Sequence, residues 1–88
     1  MRLSDAMEAG YAKVGKQCFG VYMRDASGVQ AILNKDAVSC CATGAVILAG
    51  HNPRSLVSEN TLDYVVRLND HCKMPIPEIV ETLRGMNL

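Results

Sequence analysis

The chain lacks an excess of charge of either sign: nine Lys and Arg stand against nine Asp and Glu, for a formal net charge of zero. Nucleic-acid binding needs clustered Lys and Arg to neutralise phosphates, so no nucleic-acid partner is expected from this balance. A polybasic membrane anchor is excluded on the same ground. No apolar run approaches the roughly 18–20 residues of a spanning helix, and the longest, Ala45 to Ala49, is about a quarter of that, so no membrane partner is expected. The opening MRLSDAMEAG carries acids early and has no apolar core segment, unlike a secretory signal. Repeats, low-complexity runs and linkers are absent as well. At 88 residues and 49% hydrophobic, the chain is too short for two domains and too apolar for a disordered tail. One domain over residues 1–88 follows.

Motifs of chemistry are also missing. The four cysteines do not space like a disulfide scaffold, because Cys40 and Cys41 are adjacent and a bridge between neighbours is strained. Reduced, mostly buried thiols in a cytoplasmic protein are the expectation. Zinc prefers spaced pairs such as C-x-x-C, and neighbours on a helix point about 100° apart. One helix-two cysteine with His71 and Cys72 is the remaining metal arrangement, and neither metal nor cofactor is predicted. Nucleophilic catalysis needs a thiolate beside an oriented histidine. Cys41 with Asp70 and His71 is the only such set, and a buried helical cysteine reads first as core. Ser27-Gly28 lacks a nucleophile elbow, and Gly15-Lys16 lacks the rest of a phosphate loop. The sequence therefore predicts no enzyme.

What is present reads as a mainly α domain. Leu3, Ala6, Met7, Tyr11 and Val14 recur at helical spacing, predicting helix one over about residues 5–15 with Ser4 as cap and Gly15 as exit. Cys18–Met23 and Val29–Leu33, around the turn residues Asp25–Gly28, predict a short β-hairpin between helices one and two. Residues 37–49 are apolar or small on every face, which predicts a central buried helix two over about 36–49, capped by Asn34 or Asp36 and ended by Gly50. Helix three, capped by Ser55 or Ser58, runs to about Leu68, with Leu62, Val65 and Val66 inward. Helix four starts at Pro77, with Ile79, Val80, Leu83 and Met86 as its stripe. The fold is thus a compact single domain of about four helices, with the apolar half of the chain in its core.

Candidate interaction residues are few. Three of the four aromatic side chains are tyrosines, whose rings pack while the hydroxyl stays wet. Tyr22 and Arg24, at a hairpin edge, are the residue types enriched at interface hot spots. Asn69 and Asp70, at a helix end before a proline-bounded loop, read either as caps or as a polar contact for a partner. Met7, Met23, Met74 and Met86 offer a face for self-association, so homo-oligomerisation stays open.

Glu8-Ala9-Gly10-Tyr11, Arg24–Gly28, Cys41-x-x-Gly44-Ala45 and Asn69-Asp70 follow one another in a distinctive order, and Pro77-Glu78-Ile79-Val80 closes it. In this order the chain resembles a small domain family of bacteria and their phages across nearly its whole length. Cys41, Gly44, Ala45, Asn69 and Asp70 match the most specific part of the pattern. The chain departs at the tryptophans: Leu68 precedes Asn69 where a tryptophan is usual. The family brings no settled activity. The resemblance implies a phage-encoded accessory protein in the bacterial cytoplasm. The expected function is non-enzymatic protein binding, as an inhibitor or modulator of a host protein such as a CRISPR–Cas or other defence component. The alternative is a small-ligand or nucleotide-binding protein, with its site at the seam of helix two and the Asn69–Cys72 loop. A thiol- or zinc-dependent enzyme is the third reading.

Overall fold

A computed structural model describes residues 1–88. Helix α1 spans Leu3–Val14 and turns Leu3, Ala6 and Met7 inward. It starts earlier than expected: Arg2 takes the cap position without a side-chain cap, and Ser4 lies buried in the first turn, its hydroxyl unpartnered. Gly15 ends it in the left-handed conformation, φ 66°, its N–H donating to the Tyr11 carbonyl at 2.7 Å.

The long α1–α2 connection contains the short antiparallel sheet. Strand β1, Met23–Arg24, pairs with β2, Ser39–Cys40, with Met23 opposite Cys40. The turn at Asp25–Gly28 forms as the sequence predicts. The Asp25 carboxylate accepts from the Ser27 and Val29 amides, and Gly28 adopts φ 86°. The second strand is not where it was expected. Ala31 still donates to the Met23 carbonyl at 3.0 Å, but Ile32 and Leu33 leave the sheet and face water. A 3₁₀ turn at Asn34–Asp36 then carries the chain back to β2.

That return overturns the expected start of the central helix. Cys40 is flanked on both sides: its carbonyl accepts from Cys18 N and its N–H donates to the Lys16 carbonyl, while β1 runs along its other edge, held by Val38 N to the Arg24 carbonyl and Cys41 N to the Tyr22 carbonyl. A short run apolar on every face fits a buried strand as well as a buried helix, and here ladder bonds claim residues 39–40. Helix α2 is therefore only Ala42–Leu48, capped by Cys41, whose Sγ accepts from Gly44 N at 3.3 Å. Its end follows the sequence: Gly50 at φ 88° donates to the Ile47 carbonyl and His51 to the Val46 carbonyl, a Schellman motif.

The expected third helix divides. Asn52 caps a one-turn helix α3, Pro53–Leu56, and Ser58 caps α4, Glu59–Asp70. Helix α5, Ile76–Gly85, begins one residue before Pro77. There are thus five helices rather than four, in a mainly α domain with one small sheet. Helix α2 lies at its centre against α1 and α4, and α5 closes over α1 with Ile76, Ile79, Val80 and Leu83 buried. No helix is long and apolar enough to cross a membrane. Met7 and Met23 are core residues, which removes them from any shared methionine face. Arg84 holds Asp5 and Glu8 across the α1–α5 seam at 3.2 and 3.1 Å.

Candidate functional site

The end of α4 and the start of α2 meet under the α1–α2 connection. Gly44 makes that meeting close: a Cβ there would stand 1.9 Å from the Tyr22 carbonyl oxygen. The same carbonyl accepts from Cys41 N at 2.9 Å, so Tyr22 is pinned on the first turn of α2.

Asn69 is the polar hub beneath. It is 1% exposed, and its Oδ1 accepts from Gln17 Nε2 at 2.7 Å and from Ala42 N, the first amide of α2, at 3.0 Å. Its Nδ2 donates to the Cys18 carbonyl and to Asp70 Oδ1. Gln17 extends the set, accepting from Ile76 N at 2.9 Å and donating to the Met74 carbonyl. One carboxamide thus joins α4, the start of α2 and the loop after α1, and Gln17 adds the start of α5. A buried amide with every group paired stabilises and fixes a unique arrangement. Asn69 caps α2, a helix 27 residues away, rather than its own.

Asp70 differs. Its Oδ1 accepts from Gly20 N at 3.1 Å and from Asn69, whereas Oδ2 has no partner within the chain, and Asp70 makes no ion pair. It lines a cleft of about 340 Å³ together with Tyr22, Cys41, Thr43 and Asn69. Gly20, Val21, Gln30 and Val66 complete the wall. Four of the six sequence-predicted residues, Tyr22, Cys41, Asn69 and Asp70, therefore converge.

Arg24 and His71 do not. The Arg24 guanidinium donates to the Phe19 and Gly28 carbonyls and stands in a separate cleft with Lys16 and Ser39. His71 caps the C-terminus of α4 through its backbone and is exposed away from the cleft. The set Cys41–Asp70–His71 accordingly has no histidine at the thiol. Desolvation pushes the Cys41 thiol up to about 11, opposed by hydrogen bonds from the Gly44 and Thr43 amides. Burial, with neighbouring Cys41 and Cys18, pushes Cys40 up to about 12. Both are neutral thiols at physiological pH, unlike nucleophilic cysteines. No group of three His, Cys, Asp or Glu side chains is placed to hold a metal ion.

Several site residues escaped the sequence reading. Gln17 carries no local signal, since its partners lie 52 to 59 residues away. Thr43 was read as a small helix residue, yet it lines the cleft, with its hydroxyl buried and unpartnered. Val66, expected inward, is 38% exposed and forms part of the wall.

Not all of the apolar half is core. Phe19, Tyr22, Val29, Ile32, Leu33 and Val38 are exposed, all on the α1–α2 connection, and Ile32 is 92% exposed. No protein-family model matches the chain, and no curated protein and no solved structure matches it either.

Proposed function

We propose that this chain is a non-enzymatic protein-binding module whose contact surface is the 19–38 connection. The observation that carries the reading is the exposure of six large apolar side chains on that one segment. Scattered exposed apolar residues are ordinary, and it is their concentration on one segment that supports an interaction surface there. The neutral, buried Cys40 and Cys41 favour binding over thiol chemistry. In its finer form, which draws on the family resemblance, the module is phage-encoded and inhibits or modulates a bacterial defence protein.

Affinity capture from bacterial lysate tests it. The wild-type chain is expected to retain one stoichiometric protein, and Ile32→Asp with Leu33→Asp to lose it without a change in melting temperature, because both side chains face water. Capture of nothing stoichiometric, or equal capture by the double variant, counts against the reading.

The cleft favours a second reading, a small-ligand site. A nucleotide suits it poorly, because Asp70 is the only charged residue on the wall and repels phosphate. Thermal-shift screening separates the readings, since a true ligand raises the melting temperature by mass action.

A further inference from the structure

We propose that the Tyr22–Asp70 cleft is a receptor for a guanidinium group, supplied as an arginine side chain by the protein partner. The source of the arginine rests on the protein-binding reading; the chemistry of the cleft does not.

The charge of the cleft comes first. Asp70 is its only ionisable carboxylate, and no Lys or Arg lies on its wall. Every ion pair of the molecule is elsewhere, around Arg84 and between Arg54 and Glu59. Lys73 is also occupied elsewhere, over the Phe19 ring at 4.4 Å. The carboxylate is held in place: Gly20 N and Asn69 Nδ2 fix Oδ1, which leaves Oδ2 as an oriented acceptor without a donor.

The neutral groups narrow the ligand. The Thr43 hydroxyl is itself buried and unpartnered, so Thr43 serves the cleft as wall rather than as a donor or acceptor. Asn69 has no free valence, because all its donors and acceptors are used inside the protein. Cys41 Sγ already accepts from Gly44 N. One free carboxylate oxygen is too few for a divalent cation, which takes six or more oxygens in the calcium case. An organic monocation fits better. Val21 and Val66 supply apolar wall for an aliphatic stem. Guanidinium is favoured over ammonium because it is less strongly hydrated and so loses less on leaving water for the cleft.

The experiment uses the purified full chain, labelled with ¹⁵N, and N-acetyl-arginine-N-methylamide as the probe. Saturable amide shifts are expected at Gly20, Val21, Thr43 and Asp70, with a dissociation constant of about 1–10 mM, as suits a single side chain. Asp70→Asn keeps an oxygen for Gly20 N and removes the charge, and is expected to weaken binding by about tenfold or more. The matching citrulline compound, uncharged and nearly isosteric, is expected not to saturate. Should Asp70→Asn fail to fold, Val66→Trp closes the cleft from an exposed position and is expected to abolish binding. Non-saturating shifts spread over the surface, or equal affinity for the citrulline compound, for Asp70→Asn or for Val66→Trp, overturn the proposal. The two readings fail separately. A chain that binds the probe but captures no partner keeps the receptor cleft and loses the protein-binding reading. A chain that captures a partner but ignores the probe does the reverse.

Discussion

At the residue scale, the Asn69 carboxamide, with Gln17 beside it, decides how four segments meet. Asn69→Ala removes an acceptor from Ala42 N and Gln17 Nε2 and a donor from the Cys18 carbonyl. Buried groups left unpaired cost about 1–3 kcal/mol each, and with partial rescue by water the variant is expected to lose about 2–4 kcal/mol in urea denaturation followed by circular dichroism. A loss within experimental error would mean that the hub contributes nothing net. The thiols make a second prediction. Cys40 rises from 9.0 to about 12 on folding, so the native state keeps its proton where the unfolded chain has lost it. Stability from this thiol is thus fully present below pH 9.0 and is lost as pH climbs from there towards about 12. Between those limits, the pH slope of unfolding free energy should be shallower in Cys40→Ala than in wild type by about 1.4 kcal/mol per unit. Identical slopes would show that Cys40 ionises as freely in the folded protein as in the unfolded chain. Asn69 and Cys41 were visible in the sequence as candidates, but their roles were not. A side chain's type is local, whereas the Asn69 partners that fix the hub lie 27 to 52 residues off, and Cys41 became a cap only because long-range ladder bonds claimed Ser39 and Cys40.

Between elements, backbone contact sets the geometry. A Cβ on Gly10 would lie 1.6 Å from the Ala45 carbonyl oxygen, so α1 and α2 touch without a side chain between them. From sequence alone Gly10 is simply a poor helix former, because the need for close approach belongs to the partner helix. Gly44 and Ala45 were legible as members of a run apolar or small on every face, though not as the places where Tyr22 and Gly10 arrive. Gly10→Ala must push α1 off α2 and is expected to cost more than about 3 kcal/mol, the range of severe overpacking. Gly85 offers the control: it ends α5 with open space around it and no positive φ. Gly85→Ala is expected to be neutral or to stabilise by up to about 0.5–1 kcal/mol. Thermal melts of both variants check the contrast, and similar shifts for the two would remove the close-approach account. Helix periodicity gave α1, α4 and α5 within a few residues. It misplaced the start of α2, because a run apolar on every face has no period to read.

For the whole molecule, composition and position diverge. Neutral charge and an apolar half describe an ordinary small globule, and the buried side chains of α1, α2, α4 and α5 form its single core. The connection between α1 and α2 obeys a different balance, since it puts Ile32, Leu33 and Val29 into water and buries only Ala31 between Asp25 and Ala37. A segment with few buried apolar contacts opens at a smaller free energy than the core it is attached to. Amide hydrogen exchange of the isolated chain is expected to divide accordingly. A peptide covering residues 26–36 should exchange through local opening, at a rate unmoved by mild urea. Peptides within α2, α4 and α5 should exchange only through global unfolding, with a steep urea dependence. Such a division places the exposed apolar side chains on the part of the molecule best able to adjust to a partner's surface. A connection that exchanges as slowly as α2 would instead belong to the cooperative core, and its apolar face would have to be met by a partner of fixed complementary shape.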